Sequence, residues 1–245
     1  MTRLGVMQPY FFPHPGHFAL IAHTDEWVVF DTSQYTPKRW MNRNRVLRDD
    51  TGWWWLSVPV SHTGRPPSCE VLLEDLDGGR RRIMGRLRHY QGRAPHATAV
   101  TELVESVLAD PGDGTLVDLD IRGLAAICRY VGLDFRARRL SQMSLTLPPV
   151  DHPGGWAPAI SAAVGADQYL NPIGGQDLFD GSEFTRNDVE LLFCDVPVLH
   201  YDTCPYGYEP NLSIIDALMW CSPDQVLDHL HLARDLRADC VQAAI

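Results

Sequence analysis

The residues that most constrain this chain run from Leu4 to Asp31. A short apolar run, Leu4-Gly-Val-Met7, leads into Gln8-Pro-Tyr-Phe-Phe-Pro-His-Pro-Gly-His17. Phe18, Leu20 and Ile21 follow at helical spacing, and a second apolar run, Trp27 to Phe30, stops on Asp31. Strand, tight loop, helix and strand within about thirty residues is the length of a βαβ unit. In such units ligands sit at the carboxyl ends of the strands, where the first loop and the helix N-terminus meet them. Both Gln8–His17 and Asp31 fall there, so the remainder of the chain is read as support for this loop.

Past Asp31, residues 32–45 are polar, aromatic and basic without a sustained period, and read as a loop over the strand ends. Trp53-Trp-Trp-Leu-Ser-Val-Pro-Val60 has strong β-propensity and is the third strand candidate, with Pro59 at its edge or end. Residues 79–131 carry helical patterns: Ile83, Leu87 and Tyr90 on one face, then Val100–Leu108 and Val117–Val131 around the connection Pro111-Gly-Asp-Gly114. Gly132 suits a helix C-cap before a short strand around Leu133–Leu140. Leu145–Gly155, with three prolines and two glycines, is the candidate hinge. The alternation then resumes with a helix at Trp156–Val164, strands at Gln168–Asn171 and Val189–Cys194, and helices at Leu212–Trp220 and Pro223–Ala243. This order predicts one α/β domain with a mainly parallel sheet and flanking helices, a Rossmann-like N-terminal βαβ unit, and a helical insertion over about 79–131.

Composition serves mainly to exclude. A net charge of −10 speaks against broad nucleic-acid binding, which needs a basic surplus. No stretch approaches 18 consecutive apolar residues, and the N-terminus lacks the apolar core of a signal peptide, so the expected compartment is the cytoplasm and no membrane partner is expected. Six scattered cysteines without a secretion signal predict reduced thiols. Lys38 is the only lysine in the chain.

Four groups of residues could carry chemistry. His14 and His17, three apart at a helix start, can point the same way, beside free N–H groups that favour an anion. There they could bind a triphosphate or stabilise charge on a transferred phosphoryl group; the alternative is two polar residues capping a helix. Asn42, Arg43 and Asn44 combine amides with a guanidinium fork suited to a carboxylate or phosphate, or else serve their own loop. Asp31 can act as general base, bind a substrate amine, or simply close a turn. Cys194, His200 and Cys204 could form a thiol–imidazole pair for acyl transfer, although a buried cysteine and a loop histidine is the plainer reading. Their spacing matches no zinc pattern, and no metal site is expected. His229 and His231, two apart on a helix, are read as surface residues.

Two resemblances bear on these residues. The segment from Leu4 to Asp31, with His14-Pro-Gly-His17, is similar to the His-x-Gly-His nucleotidylyltransferase-like enzymes, which would imply ATP with Mg2+. No second signature of that group is present; Leu212-Ser-Ile-Ile-Asp216 is a poor substitute. A wider resemblance covers roughly residues 3–220: Met7-Gln-Pro-Tyr-Phe-Phe-Pro13, Gly16, Asp31, Trp40-Met-Asn-Arg-Asn-Arg45, Val58-Pro-Val60, Tyr169-Leu-Asn171, Gly174-Gly175 and Leu212-Ser-Ile-Ile-Asp-Ala-Leu218 resemble the WbqC-like family. That likeness implies a biosynthetic enzyme of surface-polysaccharide or natural-product assembly, transferring an acyl or glycine-type aminoacyl group to an amine or sugar-like acceptor. The site it implies uses Asp31 as base or amine ligand, Asn42, Arg43 and Asn44 around an anionic portion, and Gln8, Tyr10, His17, Tyr169, Asn171 and Gly174 around a small activated donor. The rival readings are adenylate-forming or nucleotidyl transfer through His14 and His17, and a non-catalytic partner in a biosynthetic complex.

Overall fold

The computed structural model describes residues 1–237. β1 (Arg3–Met7), α1 (Pro15–Ala22) and β2 (Glu26–Val29) form the expected βαβ unit, with Leu4 opposite Glu26 and Met7 opposite Val29 in parallel register. A long excursion follows, comprising β3 (Arg43–Leu47), β4 (Trp53–Ser57), β5 (Val60–Ser61), β6 (Leu72–Leu73), α2 (Leu76–Leu87), α3 (Ala97–Ala109) and α4 (Leu116–Val131). The chain rejoins the sheet at β7 (Ala137–Arg139), then adds α5 (Trp156–Val164), β8 (Gln168–Pro172), α6 (Gly181–Thr185) and β9 (Glu190–Asp195). It closes with α7 (Ile214–Trp220), α8 (Pro223–Leu230) and β10 (Arg234–Arg237).

Across the main sheet the strands lie in the order β10-β9-β8-β1-β2-β7, all parallel except β10, which runs antiparallel on β9. Winding proceeds outward from β1 through β2 to β7, then returns to the other side of β1 for β8 and β9. The winding direction therefore reverses between β1 and β8. In open α/β sheets that reversal opens a crevice at the carboxyl ends of the two strands.

Both sheet faces are covered, which is why the central strands read as continuous apolar runs rather than alternating ones. Leu4, Val6, Val28, Tyr169, Leu191 and Phe193 pack with Ile160 of α5 and Phe184 of α6 on one face. Trp27, Val29, Leu170 and Leu192 face the other, against α1, α8 and the inserted helices. Gly5 makes this packing possible: a Cβ there would lie 2.5 Å from the Trp27 indole. Ile83, Leu87 and Tyr90 are buried together, as their spacing predicts.

Three expectations need correction. Residues 43–45, expected as the end of a loop, instead open the strand Arg43–Leu47, paired antiparallel with β4, so the tryptophan run belongs to a separate hairpin rather than to the parallel sheet. The insertion is accordingly larger than the helices alone, filling the chain between β2 and β7 with two hairpins as well. The last helix stops at Leu230, and the chain reverses into β10; the remainder of that predicted helix, from 238, lies outside the described residues.

Candidate functional site

A cleft of about 160 Å³ opens where the winding reverses. His14, Pro15 and Gly16 at the start of α1 form one wall, Pro172 and Ile173 at the end of β8 another, and Cys194 to Leu199 after β9 a third. Tyr201 and Asn211 complete it. A larger hollow of about 350 Å³ lies by Asp25, Glu26 and Trp27 at the start of β2, with Asp134. It sits at the amino ends of β2 and β7, where Arg136 stands among three carboxylates, whereas ligands of such sheets sit at the carboxyl ends, so volume is the weaker guide there.

The loop that carries His14 is held rigidly. Its turn places Phe12 at a φ of 39°, a conformation that needs outside support. Asn44, buried on the inner face of β3, donates from Nδ2 to the carbonyls of Phe11 (3.1 Å) and Phe12 (2.9 Å). Ser213 Oγ donates to the Phe12 carbonyl (2.6 Å), and the Ile214 N–H donates to Pro13 (2.8 Å). Asn44 and Ser213 thus fix the cleft wall from behind.

The two histidines part company. His14 caps α1, its Nδ1 accepting the Gly16 N–H at 3.1 Å. In the neutral ring that fixes the proton on Nε2, so the free edge is a hydrogen-bond donor at the cleft. Burial of part of the ring and the neighbouring Arg45 guanidinium both lower its pKa, keeping it neutral at physiological pH. His17 points away into the core, its ring 5.1 Å from that of Trp27 and 5.7 Å from that of Tyr10. Burial, with a smaller contribution from His14, lowers its pKa to about 3, and its Nε2 has no hydrogen-bond partner. The expectation of two imidazoles aimed at one anion therefore reduces to His14 alone.

Asp31 is fully buried and fully engaged. Its Oδ1 accepts the Ser141 N–H (2.8 Å), and its Oδ2 accepts Ser141 Oγ (2.5 Å) and Arg139 Nε (3.2 Å). The Asp31 carbonyl accepts Ser68 Oγ and the Cys69 N–H, both at 2.9 Å. The carboxylate ties the end of β2 to β7 and the turn after it, the backbone carbonyl ties it to the insertion, and three of the carboxylate's lone pairs are taken.

Of the other sequence-derived residues, all but Cys194 lie outside the lining of the cleft. Tyr10 donates to Gln8 Oε1 (3.3 Å), and burial raises its phenol pKa. Asn42 Nδ2 donates to the Val58 carbonyl (3.0 Å), while its Oδ1 is buried without a partner. Arg43 stacks over Trp55 with its guanidinium carbon 3.8 Å from the ring centre, and donates to the Lys38 carbonyl. Tyr169 OH donates to Asn171 Oδ1 (3.0 Å), whose amide donates to the Pro172 carbonyl (3.0 Å), bracing the wall at Pro172. Gly174 has open space around it, but a Cβ on Gly175 would meet the Asn171 amide at 2.3 Å. Cys194 does line the cleft, but burial, followed by Asp235 and Asp195, pushes its thiol up to about 12, so the thiolate is scarce at neutral pH. His229 is not a surface residue; it is buried, its Nε2 2.8 Å from the Pro197 carbonyl of the cleft wall.

Two buried carboxyls escape a reading by motif. Asp216 accepts hydrogen bonds from Tyr90 OH, Tyr201 OH (2.6 Å) and the Leu47 N–H (2.8 Å), joining α7 to the hairpin and to the Tyr201 side of the cleft. Burial raises its pKa, and those bonds oppose the rise. Asp120 of α4 is buried with neither oxygen partnered, and burial pushes its carboxyl well above the usual range. A signal for both existed: each sits on the apolar stripe of its helix, Asp120 between Leu116 and Leu124, Asp216 between Ile215 and Ala217. Among the described residues no group of three or more His, Cys, Asp or Glu could hold a metal ion. Nor, among them, is any helix long and apolar enough to cross a membrane.

The fold and cleft define the class: a doubly wound α/β protein with a candidate ligand site at its switch point. The profile of the WbqC-like protein family matches residues 8–228, and the chain belongs to that family. It is 25% identical over 221 residues to a Mycobacterium tuberculosis protein, described as uncharacterized protein Rv1507c, across 89% of this chain and 93% of the relative. No solved structure matches.

Proposed function

We propose that this chain is a biosynthetic group-transfer enzyme that carries an acyl or aminoacyl group, of the glycine type, from an activated anionic donor to an amine or sugar-like acceptor. One observation above the others supports this: the cleft lies at the switch point with the start of α1 opening into it. The outward Nε2–H of His14 suits a phosphate or carboxylate on the donor, with the positive end of the α1 dipole behind it; the first helical N–H groups do not add to it, since Pro15 has none and those of Gly16 and His17 are taken by His14. An activated donor is required because amide formation from a free acid in water is uphill. His14, neutral and held by its own cap, is suited to donate a hydrogen bond to oxygen charge that grows in the transition state. Asp31 and Asn44 act as positioning residues, and Asn42 and Arg43 flank the approach.

Nucleotidyl transfer or adenylate formation with ATP and Mg2+ is the second reading, favoured by the histidine that opens the helix after β1. A single assay separates them: acyl thioesters, aminoacyl donors, or ATP with Mg2+ and candidate acids, each offered with amine acceptors and followed by mass spectrometry and pyrophosphate release. Transfer from a preformed acyl donor without pyrophosphate is the expected result, and His14→Ala should lower kcat by about 10²-fold. Pyrophosphate release that depends on the acid would establish the second reading instead. No turnover with any donor, together with melting indifferent to all of them, would leave a non-catalytic partner.

A further inference from the structure

The hairpin that the sequence hides carries a cluster of planar groups, tilted and edge-on to one another, with one guanidinium stacked on an indole. In its antiparallel register Arg45 pairs with Trp55 and Arg43 with Ser57, which puts both arginines and Trp53 and Trp55 on the outer face. Trp40 joins from the preceding loop. Arg43 lies over Trp55, and Arg45 lies 5.3 Å from the Trp40 ring centre and 5.1 Å from that of Trp53. Trp55 in turn contacts Trp40 (5.6 Å) and Trp53 (5.0 Å), and Trp53 is exposed.

The charge of this face is unbalanced. Arg3, Arg122 and Arg139 elsewhere meet carboxylates, whereas among the described residues neither Arg43 nor Arg45 has a carboxylate partner, and Lys38 and Arg39 beside them have none either. The Nε–H of each is buried without an acceptor, and one Nη of each donates to a backbone carbonyl, Lys38 for Arg43 and Asn211 for Arg45, so the other Nη is what each presents to an anion. In a chain of net charge −10 this is a local site for an anion. It is also continuous with the cleft: Arg45 donates to the Asn211 carbonyl (3.3 Å), Asn211 lines the cleft, and the Arg45 charge is felt by His14.

We propose that this face seats the nucleobase of a nucleoside-phosphate handle on the donor, with the phosphates running past Arg45 toward His14. The inference rests on the cleft being the donor site. A flat heteroaromatic ring stacks on indole and guanidinium planes, and phosphate oxygens satisfy in-plane N–H groups. A neutral sugar would use the indoles and leave the guanidiniums unanswered.

The test is titration calorimetry of the full chain with inorganic pyrophosphate, ADP and coenzyme A, for the protein as it stands and for Trp53→Ala, Trp53→Phe, Arg45→Gln and His14→Ala. ADP or coenzyme A should bind at least tenfold more tightly than pyrophosphate. Trp53→Ala should remove about tenfold of that advantage and leave pyrophosphate unchanged, and Trp53→Phe should restore much of it. Arg45→Gln should weaken all three. A Trp53-dependent gain for coenzyme A over ADP identifies a thioester handle; equal affinity identifies a simple nucleotide. Pyrophosphate binding as tightly as ADP, with Trp53→Ala silent, overturns the inference and leaves the cleft reading intact. Failure of pyrophosphate itself to bind, with no effect of His14→Ala on any ligand, overturns both. Circular dichroism and melting of each variant establish that the hairpin still folds.

Discussion

His17→Leu is expected to be more stable than the parent chain in acid and close to it at neutral pH. In the folded chain His17 titrates at about 3, because burial, and next His14, disfavour its charge; unfolded, it returns to about 6.5. Between those values the unfolded state binds a proton that the folded state refuses. The stability that neutral His17 permits is therefore fully present above pH 6.5 and drains away as pH falls toward 3. The slope is about 1.4 kcal/mol per pH unit, or about 5 kcal/mol across the window. Leucine removes the titration and is of similar volume, so a change within about 1.5 kcal/mol is expected at pH 7. At pH 4.5 the variant should lead by about 3 kcal/mol relative to its standing at pH 7. Asp120 contributes with the opposite sign, since a raised carboxyl pKa favours the folded state in acid and costs stability as pH rises above about 4. The variant-minus-parent difference isolates His17 from it. Urea titrations at pH 7, 5.5 and 4.5 measure that difference; a difference that does not change with pH would show that His17 is not buried as a neutral ring.

Asp31→Ala should cost about 3–5 kcal/mol, the range for removing one partner of a buried charged pair. Arg139 would keep its 2.9 Å contact with Asp113, but Ser141 and the Arg139 Nε would lose their acceptors, and the ends of β2 and β7 would separate. For a chain of this length that is a fall in Tm of about 10 °C. Asp31→Asn keeps one acceptor and should lose less, about 1–3 kcal/mol. Because the carboxylate is fully buried and already accepts three hydrogen bonds, Asp31→Asn assayed below its melting range should retain turnover within about tenfold. An Asn variant that melts like the parent but has lost 10²-fold or more in kcat would instead make Asp31 the general base.

These two residues illustrate what the sequence discloses. The βαβ unit, the inserted helices and β8 and β9 are legible because apolar runs and helical periods are local signals, punctuated by Pro15 and Gly132. β3 is not, because Asn44 shares the inner face with Val46 and puts a polar residue where the alternation needs an apolar one. Its pairing with the tryptophan run is a tertiary matter that no window contains. The end of α8 is hidden because Leu232 and Leu236 prolong a helical pattern, whereas the edge of β9 recruits the segment as β10. At the site, the position of the loop is legible and the aim of its side chains is not. His14 and His17 are three apart, yet the capping bond turns one outward while the other follows Trp27 into the core. The cleft's third wall, residues 194–199, comes from a strand far along the chain and carries no motif. Asp31 looks catalytic in sequence because a strand-end aspartate often is; its meeting with Arg139 and Ser141, over a hundred positions away, which gives it a structural task, is visible only in the fold.

The central claim is that the switch-point cleft takes the anionic end of the donor. The most direct measurement is a crystal structure with whichever activated donor raises the melting temperature most. The account predicts its anionic group between the start of α1 and the Pro172–Ile173 wall, within hydrogen-bond distance of His14 Nε2. An anionic group bound instead in the hollow beside Trp27 and Asp134, with the cleft at His14 unchanged, would contradict it.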